Sequence, residues 1–303
     1  PAAQDGPETA PPPRERTAYM PINKAVLAAF KAATRLRPDI KEFYKAQRVA
    51  EDLSARLALP NPRCRVDDIT APMPDGCALP LRVFTPLDID FSLAEGFKVT
   101  EDFRGTVLFF HGGGWVTGNI DSYDKVCTNM ARLTRHIVVS VDYRLAPEHR
   151  FPAAPEDCYL AAREIFSQCH LFGITPDDIT LIGDSAGGNL AAVVSLMARD
   201  RGEFMPRQQI LLYPATNNDH TENSPFESVR TNGTDYLLTS KRMVDYMKLY
   251  RSGDDDLQNP YYAPLVSKDL SRQPRTLIIT AEYDPLRDEG EAYGIKLAQA
   301  ITS

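Results

Sequence analysis

No run of about 18 consecutive apolar residues occurs in these 303 residues, so no segment is able to cross a bilayer as a helix. The first residues lack the charged-then-apolar order of a secretory leader, and the chain starts at Pro1 without a methionine. Basic blocks are missing as well. Lys and Arg number 34 against 41 Asp and Glu, a formal charge of −7, which argues against nucleic acid and against an anionic membrane as partners. The five cysteines, Cys64, Cys77, Cys127, Cys158 and Cys169, are odd in number, far apart and without a CxxC pair. That argues against a disulfide framework or a zinc site, and for a reducing, cytoplasmic compartment. No internal repeat is found. What remains is ordinary globular material, 43% hydrophobic and 25% charged, which excludes disorder along the whole chain.

Residues 1–16, with Pro7, Pro11, Pro12 and Pro13 among charged and small residues, read as a flexible tail. Residues 17–60 predict two helices. Val26, Leu27, Phe30 and Ala33 recur at helical spacing up to Pro38, and Phe43, Ala46, Ala50, Leu53 and Leu57 form one face of the next helix before Pro60. Lying ahead of every strand, these helices read as a cap packed over the body. Cys64 to Ala71 and Leu79 to Thr85 predict paired edge strands, joined through Asp75-Gly76, and 86–104 reads as a loop. Val107 to Phe110, Ile137 to Val141, Thr180 to Ile182, Ile210 to Tyr213 and Thr276 to Ile279 are short apolar runs, as expected of strands buried on both faces. Between them lie helical stretches. One carries Tyr123, Val126, Cys127, Met130 and Leu133 on a face, and another Cys158, Ala162, Ile165, Phe166 and Cys169. The alternation predicts an α/β fold with a mainly parallel central sheet, helices on both faces, and ligand loops at the carboxyl ends of the strands. The body then runs over 61–303. The roughly sixty residues between Tyr213 and Arg275 exceed any normal connection. They predict a cap insertion, 215–262, in which Ser240 caps a helix that turns Met243, Tyr246, Met247 and Tyr250 to the body.

The sharpest signal is Gly183-Asp184-Ser185-Ala186-Gly187, between an apolar strand and a helix. It fits the GxSxG nucleophile elbow, where a tight turn forces the serine hydroxyl outward and the helix aims its N–H groups at an oxyanion. Directly after the Val107 to Phe110 strand stands His111-Gly112-Gly113-Gly114-Trp115. Three consecutive glycines are costly to order, and the physical use of that cost is to let backbone N–H groups converge on one negative oxygen. Asp284 follows a late strand at its carboxyl end, in the chain order serine then acid. A turn aspartate before Pro285 is the plain alternative. Asp288 and Glu289 read as first-turn acids of a helix. Asp142 and Arg144 read as a structural ion pair, and the direction of the Asp184 side chain is not legible.

These motifs, with Asp142-Tyr143-Arg144-Leu145-Ala146-Pro147-Glu148 and Asp284-Pro285-Leu286-Arg287-Asp288-Glu289, resemble those of the bacterial hormone-sensitive-lipase-like carboxylesterases of the α/β-hydrolase fold, from about residue 20 onward. The resemblance implies Ser185 as nucleophile, Asp284 as the acid of the triad, and the N–H groups of Gly113, Gly114 and Ala186 as the oxyanion hole. It implies a cap built from the first helices and the insertion. The expected activity is that of a serine carboxylesterase, cleaving small-molecule, short-acyl esters through an acyl-enzyme, with no cofactor and no metal; a homodimer remains open. One departure stands out. No histidine follows Asp284, whereas the resemblance puts the base roughly thirty residues after the acid. The expectation is that the C-terminal part of the body, with a short strand and then a histidine, lies beyond Ser303. Of the histidines present, His111 should brace the glycine loop, His136 precedes a strand at the wrong end of the sheet, His149 lies in the Asp142 loop, and His170 ends a helix. Only His220, in the insertion, has a route over the site. The alternative function is a catalytically inactive ligand-binding protein or receptor of the same fold; keeping both Ser185 and Asp284 argues for the enzyme.

Overall fold

The chain builds its sheet from short β-branched and aromatic runs, and the computed structural model describes residues 22–57, 64–74, 76–87, 90–92, 96–98, 104–172 and 174–302. The 1–16 tail lies outside them. Strands β1 (Cys64–Pro72) and β2 (Ala78–Pro86) pair antiparallel, and a small hairpin, β3 (Asp90–Ser92) with β4 (Gly96–Lys98), occupies part of the segment expected to be a loop. Then come β5 (Thr106–Phe110), β6 (Ile137–Val141), β7 (Ile179–Asp184), β8 (Gln208–Leu212) and β9 (Arg275–Ile279). The seven-stranded sheet has the order β1-β2-β6-β5-β7-β8-β9, antiparallel through β2 and β6 and parallel from β6 to β9. β5 and β6 are buried along their whole length, as their unbroken apolar runs require. β9 departs from that expectation. Ile278 packs on the core, while Leu277 is 52% exposed and Ile279 also faces outward.

Two helices precede the sheet, α1 (Lys24–Leu36) and α2 (Ile40–Arg56). Asp39 caps α2 by accepting from Lys41 N at 2.9 Å. The face on which α2 packs is not the expected one. Phe43 and Leu53 are exposed, the latter at 58%, and so are Val49 and Leu57. The helix instead docks through polar side chains, Gln47, Arg48, Glu51 and Asp52, whose hydrogen bonds reach residues 116–119. In α1 no residue is fully buried, and Val26 is exposed.

The remaining helices are α3 (Asp124–Thr134), α4 (Ala153–Ser167), α5 (Ala186–Arg201), α6 (Glu227–Thr231), α7 (Ser240–Tyr250) and α8 (Arg287–Thr302). α5 is buried from Ala186 to Ala198, since small residues on all sides let it lie close to both the sheet and α4. In α3 the inward face is Cys127, Thr128 and Ala131, and Val126 and Leu133 point out. α7 turns Met243, Tyr246, Met247 and Tyr250 into the core. Its cap is Thr239, whose hydroxyl accepts from Arg242 N, and not Ser240, whose Oγ donates to Val229 O at 2.6 Å. Arg144 pairs with the buried Asp157 rather than with Asp142; its guanidinium takes both carboxylate oxygens, down to 2.6 Å. Asp142 accepts from Ile120 N instead. Among the described residues no helix is long and apolar enough to cross a membrane.

Candidate active site

β7 delivers Ser185 into a conformation that side chains rarely adopt, φ 55 and ψ −115, immediately before α5. The turn is tied on both sides. Ser185 N donates to Leu212 O at 2.9 Å, and Ser185 O accepts from Asn189 N at 3.0 Å and from Ala215 N at 3.2 Å. A side chain at Gly187 would collide with the Phe110 carbonyl, so α5 can start this close to β5 only with glycine there.

β5 and β7 are parallel neighbours with Phe110 opposite Gly183, so the loop after each leaves the same end of the sheet side by side. That brings His111-Gly112-Gly113-Gly114 beside Ser185. Asp184 joins the two loops. Its carboxylate accepts from Gly112 N at 2.9 Å and from the Tyr123 hydroxyl at 2.9 Å, and Gly112 N also lies 3.1 Å from that hydroxyl oxygen. Burial pushes the Asp184 carboxyl up to about 6, against the lowering effect of the Tyr123 and Gly112 donors. His111 braces the loop from behind: its Nδ1 lies 2.7 Å from Gly112 O, its ring stacks on Tyr143 at 4.2 Å, and Tyr143 donates to His111 O at 2.7 Å. Burial pulls its imidazole down to about 4, so it is neutral at physiological pH.

Gly113 and Gly114 hold φ of 119 and 61, where a side chain would run into Thr117 O or the Tyr246 ring. Among the described residues the N–H groups of both lack an acceptor. The N–H of Ala186 is at the start of α5, among the donors that a helix leaves free.

Asp284 follows β9, two strands from β7, and Asn232 Nδ2 holds its carbonyl at 3.2 Å. Its Oδ1 accepts from Leu286 N at 2.9 Å. Burial pushes its carboxyl up to about 6; Leu286 N lowers it, Glu289 raises it further and His220 lowers it. Tyr213, at φ 36 on the loop between, lies within electrostatic reach of both Asp184 and Asp284. Asp184 closes β7 and Asp284 follows β9, so both carboxylates stand at the same end of these parallel strands. Among the described residues no imidazole is hydrogen-bonded to Ser185 or Asp284: His220 is wholly buried against Glu289, and His111 is engaged with its own loop. A cavity of about 440 Å³ between the α1–α2 junction and α7, lined by Arg37, Asp39, Lys241 and Arg242 among others, includes neither Ser185 nor Asp284.

Sequence reading left the direction of Asp184 open and missed Tyr123 and the pairing of His220 with Glu289. Asp184 carried a signal, being next to Ser185 in the elbow motif; Tyr123 carried none, since it reads as an ordinary helix-face aromatic.

A mainly parallel sheet, a serine elbow after β7 and a glycine loop after the adjoining β5 define a hydrolase of the α/β class. A family model described as the alpha/beta hydrolase fold matches residues 107–303. An arylesterase of Saccharolobus solfataricus is 35% identical over 260 residues, spanning 86% of this chain and 79% of its own. An ethyl acetate hydrolase of Pseudomonas putida is 35% identical, spanning 84% and 77%. The solved hyperthermophilic esterase of Pyrobaculum calidifontis superposes with a TM-score of 0.79 at 38% identity, over 93% of this chain and 87% of that one. The chain belongs to the hormone-sensitive-lipase-like carboxylesterase family of α/β hydrolases.

Proposed function

We infer that the protein is a carboxylic ester hydrolase that uses Ser185 as nucleophile and prefers short acyl chains. The observation that carries this reading is the elbow at Ser185 lying against two acceptor-less N–H groups at Gly113 and Gly114, with Asp184 bonded across the junction. Ser185 Oγ attacks the ester carbonyl. The oxyanion settles on the N–H groups of Gly113, Gly114 and Ala186, the alcohol leaves with a proton, and water then frees the acid from the acyl-enzyme. Asp284 orients the base that takes the Ser185 proton. Among the described residues His111 is engaged with its own loop and His220 with Glu289, so neither is free for that role.

Short-acyl preference is supported by the substrate named for the Pseudomonas relative and by Tyr246, whose ring closes on Gly114 from the cap side. Free thiols at Cys64, Cys127, Cys158 and Cys169 support a reducing cytoplasm. The test is turnover of acetate-to-hexanoate esters of a good leaving group by the full-length protein. Those esters should exceed long-chain ones, and Ser185→Ala should abolish turnover with the thermal midpoint kept. Preference for emulsified long-chain triglycerides would sink the acyl assignment.

A further inference from the structure

His220 and Glu289 are both wholly buried, and no step of acyl transfer uses either. His220 Nε2 lies 2.7 Å from Glu289 Oε2, short although the angle is off line for a hydrogen bond. At that distance an unprotonated nitrogen would set lone pair against lone pair, so one of the two atoms carries a proton. His220 Nδ1 faces the Met247 sulfur at 3.1 Å, which is an acceptor and not a donor. Both ring nitrogens thus face acceptors, as an imidazolium requires. Glu289 Oε1 meanwhile accepts from Thr216 N at 2.7 Å and Asn217 N at 3.2 Å, as a carboxylate does. Burial alone would pull His220 down, but the Glu289 charge outweighs it, and the net direction is up.

The pair stands beside the proposed triad acid. Asp284 and Glu289 flank the start of α8, and Asp284 is influenced by both members with opposite sign. We propose that the His220–Glu289 ion pair is a positioning element for Asp284, pinning the 214–217 loop after β8 to the start of α8 while holding the net charge of the pair at zero. Asp284 is then the uncompensated negative charge of that pocket. The other charged or titratable groups in reach are Asp219, which faces His220, and Tyr213, which faces Asp284. On α8, Arg287 and Asp288 close on each other at 2.9 Å, and Arg287 also takes Glu282. The proposal rests on Asp284 being the triad acid.

The experiment measures the acid limb of kcat/KM in the full-length protein. In His220→Gln, Glu289 is left as an extra negative charge beside Asp284 and the base it holds, which favours the protonated form of both. The acid limb should move up by roughly one pH unit. In the double variant His220→Gln with Glu289→Gln the pair is neutral again, and the limb should return to its original place whatever the change in thermal midpoint. An unmoved limb in the single variant, or a shift that persists in the double variant, overturns the proposal. A second measurement needs no variant: with 15N-labelled histidine, the unaltered protein should show both His220 nitrogens protonated above the ordinary imidazole value, at neutral pH, and a neutral tautomer there overturns it as well. Absence of any Ser185-dependent turnover would refute the esterase reading and leave this second result standing on its own.

Discussion

Ser185 sits in a backbone region that costs a non-glycine residue about 1–3 kcal/mol, and it persists because Leu212, Asn189 and Ala215 bond its main chain from three directions. Its neighbour Asp184 does comparable service for the glycine loop. Asp184→Ala leaves Gly112 N with only the Tyr123 oxygen at 3.1 Å, and a lost hydrogen bond of this kind costs about 1–1.5 kcal/mol, so kcat should fall roughly tenfold with KM little changed. Asp184→Asn keeps an acceptor for Gly112 N, and the Tyr123 hydroxyl can turn to accept from the new amide, so most of kcat should return. Steady-state kinetics on the two variants decide; an Asn variant as slow as the Ala one would mean that charge, not loop position, is what Asp184 supplies. Gly113→Val probes the proposed oxyanion donors directly. A side chain at φ 119 must displace the loop from Thr117 O, and losing one oxyanion donor costs about 3 kcal/mol, or roughly 10² in kcat. Turnover that survives while only the thermal midpoint drops would make the loop structural.

Among the elements, those with one-sided or complete apolar burial were legible and those that dock through polar groups were not. Val107 to Phe110 and Ile137 to Val141 could be read as strands because burial on both faces demands continuous apolar residues. The elbow was legible because its glycines are demanded by close approach of backbones. α2 was readable as a helix, but its orientation was not: periodicity sees only Phe43, Leu53 and Leu57, whereas the bonds that seat the helix come from Gln47, Arg48, Glu51 and Asp52. Arg144 finds Asp157, 13 residues on, because α4 folds back beneath it, and adjacency in sequence suggested Asp142 instead. The α2 contacts have a consequence for the site. Arg48 donates to Val116 O and Ala146 O at 2.7 Å each and to Glu148 at 3.0 Å, holding the segment that follows Gly113 and Gly114. Arg48→Met keeps the aliphatic stem and removes all three bonds. The thermal midpoint should fall by about 2–6 °C, for a loss of about 1–2 kcal/mol, and kcat should fall more than KM rises. Calorimetry and kinetics read both; an unchanged kcat would mean that the clamp stops short of the glycines.

At the scale of the whole molecule, buried titratable groups with opposed tendencies stand at the same end of the sheet. Asp184 and Asp284 have folded values near 6 against an ordinary 3.8, so each favours the folded state most fully below the ordinary value, and that contribution is lost as pH rises through about 6. His111 runs the other way. It is about 4 in the folded protein against 6.5, so its contribution is complete above 6.5 and is lost as pH falls towards 4. Between pH 4 and 6.5 these trends oppose one another, so acidification through that window should change stability by about what one carboxyl alone would, and not by the sum of the two. Activity has no such compensation on the proposed reading, in which Asp284 is the triad acid and orients the base only when ionised. Turnover of the full-length protein should therefore decline as pH drops below about 6 while the thermal midpoint stays within a few degrees down to pH 5, and return to pH 8 should restore it in full. Parallel kcat/KM and calorimetric profiles across pH 4.5 to 9 test this. Unfolding that coincides with the loss of turnover would show that the acid limb belongs to the fold and not to Asp284.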